Sequence, residues 1–397
     1  MKRREFIGLN GAAIASAGLG TLAGQDAVSA EHPAGDPTAV GNPCLFNPDP
    51  TMVSVVWRVH QHSAGVVEYG VTEKLSQTAT VIRHGLCHRD DTVLMVHLED
   101  LKPDTIYYYR TVTMPMDFSA GRYLNSPARG KVHRGKIYSF RTLPTKSNIA
   151  SVAVINDTHE KTPIIHGLFE HIADNPVDSV IWNGDMFDNV HTKEIVTEQT
   201  VDLLGPKEYA VSRPITFVYG NHDIRAEFAP DLEKIFPTRD GRRYFTWQNG
   251  PIQFMVLDTG EVNDVRDVTS FPDYRSEQIS WIAEQIQRPE WKAAPFRVAI
   301  SHIPLHGPWS SADARKKWDG LLNEGNVDLM IAGHTHKAAY YPPAHDRTYH
   351  LLVGGGPLPG EQRVLRGRVE GGKMYLRIEH PHPQSRPTVI DPIESRV

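Results

Sequence analysis

The sequence is poor in cysteine, in basic excess and in long apolar runs. Only 2 of its 397 residues are cysteine, which excludes a disulfide-stapled scaffold and a Cys-rich metal site. Lys and Arg total 42 against 47 Asp and Glu, a net charge of −5. That balance leaves no basic footprint for nucleic acid. After the N-terminal stretch, no segment approaches the ~18 consecutive apolar residues of a membrane helix, so no stable membrane span is expected in the mature chain. With 40% hydrophobic and 9% aromatic residues, the composition is that of a globular protein. The length points to two domains, or to one domain with an addition. Histidine is what the chain has in number, 20 residues. It is the commonest metal ligand, but only position can turn abundance into a site.

Lys2, Arg3 and Arg4 are followed by a mildly apolar stretch from Phe6 to Gly24 and by the small residues Val28-Ser29-Ala30. This is the pattern of a cleavable export signal over residues 1–30, with an uncleaved N-terminal anchor as the alternative. Arg3-Arg4-Glu5-Phe6-Ile7 resembles the twin-arginine signal, an address read by the export machinery. The expected location is periplasmic or secreted. Cys44 and Cys87 could pair in an oxidising compartment or stand as two separate thiols.

From Glu31 to Pro43 the chain reads as a linker or a first edge strand. Met52 to Val59 then alternates, with Val53, Val55, Trp57 and Val59 on one face. Val66–Tyr69, Thr92–Leu98, Thr105–Val112 and Lys136–Leu143 are further short strand candidates between turn residues. No helical period appears before about residue 160. From Asn148 strands and helices alternate, the signature of an α/β domain. Ile149–Ile155, Ser179–Trp182, Ile215–Tyr219, Phe296–Ile300 and Val327–Ile331 read as strands. Thr162–Asn175 and Glu277–Ile286 read as helices.

Five polar clusters follow apolar strand candidates directly. They are Asn156-Asp157-Thr158-His159, Gly184-Asp185-Met186-Phe187-Asp188-Asn189, Gly220-Asn221-His222-Asp223, Ser301-His302-Ile303-Pro304 and Gly333-His334-Thr335-His336. Strand C-termini converge on one crevice in open α/β folds. The groups delivered are carboxylates, imidazoles and one carboxamide, a donor set that suits Zn, Mn or Fe. They are too many for one tetrahedral ion, whereas two ions sharing a carboxylate would use them.

The ordered set D-x-H, G-D-x-x-D, G-N-H-D, H and G-H-x-H resembles the calcineurin-like metallophosphoesterase superfamily. Val67-Glu68-Tyr69-Gly70, the run from Leu101 to Tyr109, and Tyr138 to Thr142 resemble a fibronectin-III-like domain, as precedes the catalytic domain in purple acid phosphatases. The resemblance implies a catalytic domain of α/β class over 148–380, a four-layer β-sandwich flanked by helices. An all-β sandwich over 37–145 would precede it and an extended tail over 381–397 would follow.

The same resemblance implies that two divalent or mixed-valence ions (Fe, Mn or Zn) are bound. Asp157, His159, Asp185 and His336 would hold the first, and Asn221, His302 and His334 the second. Asp185 would bridge. A metal-bridging hydroxide would attack a phosphomonoester or phosphodiester of a small molecule. His222 would protonate the leaving group, with Asp223 setting its tautomer and orientation. Asn189 and His306 are weaker candidates for substrate contact, each as readily a turn or a surface residue. Arg225 could bind phosphate, though an exposed arginine is the default, and Asp258 reads as structural. Purple acid phosphatases carry Tyr three positions after the bridging Asp and Gly where His159 stands. Asp188 and His159 in those places imply a non-purple member. The competing reading is an inactive binding protein that works through its β-sandwich.

Overall fold

The computed structural model describes residues 40–118, 128–204, 209–262, 269–381 and 385–396. The export signal expected over 1–30 lies outside the described residues.

The strands form where β-branched runs occur, and their burial follows their faces. The first sheet runs, in order, Thr388–Glu394, Lys373–Glu379, Val364–Glu370, Ala150–Ile155, Ser179–Asn183, Ile215–Val218, Val40–Asp49, Met52–Arg58 and Val93–Leu98. Its centre is parallel, with Val154 opposite Ile181 and Trp182 opposite Phe217. A second sheet contains Phe245–Asn249, Ile252–Val256, Phe296–Ile300, Leu329–Ala332, His350–Val353 and Ala339–Tyr341. Parallel strands covered on both faces read as continuous apolar runs, and Ser179–Asn183 and Phe296–Ile300 are buried throughout.

Alternation assigns each residue to a layer. Val152 and Val154 point into the core shared with Phe254, Val298 and Ile331 of the second sheet. Ala153 and Ile155 point the other way, onto Ile165, Phe169 and Ile172 of the helix Thr162–Asp174. On the far side, Trp318 and Leu322 of Ala312–Glu324 and Ile282 of Phe271–Gln285 cover the second sheet. The result is the helix–sheet–sheet–helix stack. Each buried Val, Leu, Ile or Phe in it contributes about 1.5–3 kcal/mol.

The N-terminal strands build an all-β sandwich. Val53, Val55 and Trp57 face Tyr107, Tyr109 and Phe140 across one core. Its sheets are not set apart from the α/β region. Val40–Asp49 lies between Met52–Arg58 and Ile215–Val218, with Phe46 opposite Ile215 in a parallel pairing. Residues 37–397 form one compact unit. The segment read as a linker or edge strand thus continues into an interior strand. Its polar approach conceals the buried run Cys44-Leu45-Phe46. The helix Lys193–Leu204 and the strand Val364–Glu370 were not anticipated. The first is weakly amphipathic, with Thr197 and Thr200 buried and returning their hydroxyls to the carbonyls of Lys193 and Val196. In the tail, Thr388–Glu394 pairs with Lys373–Glu379.

Both cysteines are free, Cys44 buried and Cys87 exposed. Among the described residues no helix is long and apolar enough to cross a membrane.

Candidate metal centre

All five clusters sit where a buried strand ends and the chain must turn. The turns are tight enough that non-glycine residues take left-handed backbone: Asp157 (φ 50°), His159 (45°), Asp185 (50°), His334 (69°) and His336 (57°). Such conformations cost of order 1–3 kcal/mol each and collect at functional sites. Glycine is required where backbones nearly touch. A Cβ on Gly220 would overlap the Asp185 amide and carboxylate, and one on Gly184 would overlap the His302 ring.

The turns assemble two adjoining donor groups, Asp157–His159–His336 and Asp185–His302–His334. In the first, His336 Nε2 lies 3.2 Å from Asp157 Oδ1 and 3.2 Å from His159 Nε2. In the second, His302 Nε2 lies 3.0 Å from Asp185 Oδ2. The groups meet at their edges, with His302 Nε2 and Asp157 Oδ1 3.8 Å apart and His159 Nε2 and Asp185 Oδ2 also 3.8 Å apart.

The far atoms of His302, His159, Asp157 and Asp185 are held by second partners, which fixes the lone pair that faces inward. The His302 Nδ1–H donates to the Asn183 carbonyl (2.8 Å), and that of His159 to Asp188 (2.7 Å). Asp157 Oδ2 accepts from the His334 amide (2.8 Å) and from Asn156. Asp185 Oδ1 accepts from the His222 amide (2.9 Å). Three buried atoms at the site have no hydrogen bond among the described residues: Asp157 Oδ1, His302 Nε2 and Asn221 Oδ1. Buried polar atoms are almost always paired, and cations at the two donor groups would satisfy these three.

The electrostatics agree. Burial alone would lower the His302 pKa, but the Asp185 and Asp157 carboxylates raise it to about 10. For Asp157 and Asp185 burial pushes upward, and His302 leads the interactions that bring the net shift below the usual carboxylate range. Burial, with the neighbouring His302, takes His334 down to about 4, so its imidazole is a neutral donor. The pocket therefore attracts positive charge while keeping a lone pair on His334.

Asp223 does not orient His222. Its two oxygens accept the backbone N–H groups of Asp185 (2.9 Å), Met186 (3.0 Å), Phe187 (3.1 Å) and Gly220 (2.8 Å). A fully buried carboxylate satisfies such a cluster of amides better than an exposed ring could. Burial, with Asp185 nearby, raises its pKa to about 7. His222 instead takes its orientation from the Asp188 carbonyl, 2.9 Å from Nδ1. His306 is engaged elsewhere, with Nε2 3.0 Å from Asp319, which also accepts from the Tyr349 hydroxyl. Asn189 is exposed beside Asp188, and its side chain makes no hydrogen bond among the described residues. Asp258 caps its own loop through the Gly260 amide (2.8 Å) and the Tyr274 hydroxyl (3.1 Å).

Sequence reasoning missed Glu261 and gave Asn156 and Asp188 no contact role. Asp188 was visible in G-D-x-x-D, whereas Glu261 carries no motif.

Fold and site together are similar to those of calcineurin-like phosphoesterases. Residues 150–338 match the family model for calcineurin-like phosphoesterases. Probable purple acid phosphatase 20 of Arabidopsis thaliana is 25% identical over 312 residues, spanning 74% of this chain and 66% of that protein. The human serine/threonine-protein phosphatase CPPED1 is 27% identical over 169 residues, 39% of this chain and 52% of that protein. Purple acid phosphatase PPD1 from yellow lupin superposes with a TM-score of 0.65 at 16% identity, covering 89% of this chain and 74% of that one. The PhoD structure gives 0.61 at 12% identity, covering 90% of each chain. These two likenesses carry the fold across both the sandwich and the α/β region. The chain spans 66%, 50% and 62% of three plant relatives' lengths.

Proposed function

We propose that this protein is an exported, metal-dependent phosphoesterase that hydrolyses phosphomonoesters or phosphodiesters of small molecules. The carrying observation is the pair of adjoining donor groups in which Asp157 Oδ1, His302 Nε2 and Asn221 Oδ1 are buried without a hydrogen bond. Asp157, His159 and His336 would hold one cation and His302, His334 and Asn221 the other, with Asp185 between them. Two such ions, Fe, Mn or Zn, would supply an activated water and neutralise charge on the phosphoryl group. His222 bonds the Asp188 carbonyl through Nδ1 and packs its ring against that of His159, centroids 4.8 Å apart, where it can hold a proton for the departing oxygen. The four amides on Asp223 keep the Asp185 turn in place. A complete donor set supports an enzyme over an inactive binding protein, which would have no need of it. The basic N-terminus with Arg3-Arg4 supports twin-arginine export to the periplasm or the exterior.

The test is reconstitution of the purified protein with Mn, Fe or Zn, assayed on p-nitrophenyl phosphate and bis-p-nitrophenyl phosphate. Metal-dependent release from either ester is the expected result. No release from these or from a nucleotide panel refutes the reading for those substrates.

A further inference from the structure

Arg225 stands over the acid and is held there from outside. Its Nη1 lies 2.9 Å from His222 Nε2 and 3.2 Å from Nδ1. On its other edge Nε donates to Glu261 Oε2 at 3.0 Å, and Nη2 bonds the same oxygen. Glu261 Oε2 also lies 3.5 Å from Asn221 Nδ2, which leaves the Asn221 oxygen facing the metal position. The Glu261 carbonyl accepts from Arg275 (2.9 Å), itself buried and bonded to Asp313. The guanidinium side chain keeps 38% exposure. Three of its five N–H groups are used, and two make no bond among the described residues. An ordinary surface ion pair contributes little and has no reason to be aimed at a site. This one lies beside the Asn221 amide and against the His222 imidazole.

We propose that Arg225, fixed by Glu261, is a substrate-binding residue that recognises the third free oxygen of a phosphomonoester, and so makes this site prefer monoesters to diesters. The proposal rests on the phosphoesterase reading. A phosphomonoester has three non-esterified oxygens, and two of them suffice to meet two cations. The third carries charge and suits a guanidinium fork. In a diester that oxygen is esterified, with neither the charge nor the room for the fork.

The experiment compares wild type, R225A and R225K, each metal-loaded and checked for an unchanged thermal melt. It reads inorganic phosphate affinity by calorimetry and kcat/KM for the two p-nitrophenyl esters. Phosphate affinity and monoester kcat/KM should fall roughly 10- to 100-fold in R225A, the weight of a hydrogen bond to a charged group. Diester kcat/KM should change less than about threefold by the same reasoning, since no such bond is lost. R225K, with charge but no fork, should lie between. Wild-type phosphate affinity in R225A, or equal losses on both esters, overturns the proposal. Phosphate binding decides it separately from turnover. A wild type that binds phosphate through Arg225 but cleaves neither ester would refute only the phosphoesterase reading.

Discussion

Asp223→Asn separates an anchoring role from a catalytic one. In the native protein each carboxylate oxygen takes two backbone N–H groups, Oδ2 from Asp185 and Gly220, Oδ1 from Met186 and Phe187. Asparagine offers one oxygen and one NH2, so two buried amides lose their acceptor and face a donor. A buried donor left unsatisfied costs about 1–3 kcal/mol, giving a gross loss of about 2–6 kcal/mol. Relief of an unfavourably buried carboxylate, whose pKa stands near 7, offsets part of it. A net loss smaller than that gross figure is expected. The same turn carries Asp185, so metal retention should fall with stability. Urea unfolding of the apoprotein measures the first and metal content after dialysis the second. Had Asp223 served His222, the variant would keep its urea midpoint and metal while kcat alone fell. That result would refute the anchoring account.

Gly220→Ala would place a methyl group on the Asp185 amide and carboxylate; the variant should bind metal poorly even where it folds, as metal analysis would show. Asp188→Ala removes the 2.7 Å partner of His159 Nδ1. Loss of such a second partner typically weakens metal affinity about 10–100-fold, and a chelator competition titration would detect it. His97, bonded to Ser54 Oγ at 2.8 Å, has its pKa lowered by burial. It is neutral in the fold, so its contribution is present above the unfolded value near 6.5 and is lost as pH falls through that value toward the folded one. His97→Gln should flatten the decline in urea stability between pH 7 and pH 5; an unchanged slope would exclude His97 as its source.

The strands were legible because buried parallel strands are written as β-branched runs, and Phe296–Ile300 has the bounds its sequence implies. The candidate donor residues were legible because each follows such a run in a fixed order. Less could be read where a contact depends on turn geometry. Nothing in Asp157 or His334 announces a left-handed backbone, and an Asp beside a His reads as that histidine's partner until four amides are seen to claim it. Arg225 and Glu261 lie 36 residues apart, and only the fold brings them to one imidazole. Cys44-Leu45-Phe46 was hidden by the polar residues before it, so the strand joining sandwich to catalytic sheet passed for a linker.

The central claim is that two cations share this site. Titration of the apoprotein with Mn2+, followed by electron paramagnetic resonance, addresses it directly. The account predicts an exchange-coupled pair signal that reaches full amplitude at two ions per chain, since ions in such sites lie ~3.5–4 Å apart. An isolated-ion signal that saturates at one Mn2+ per chain would contradict it.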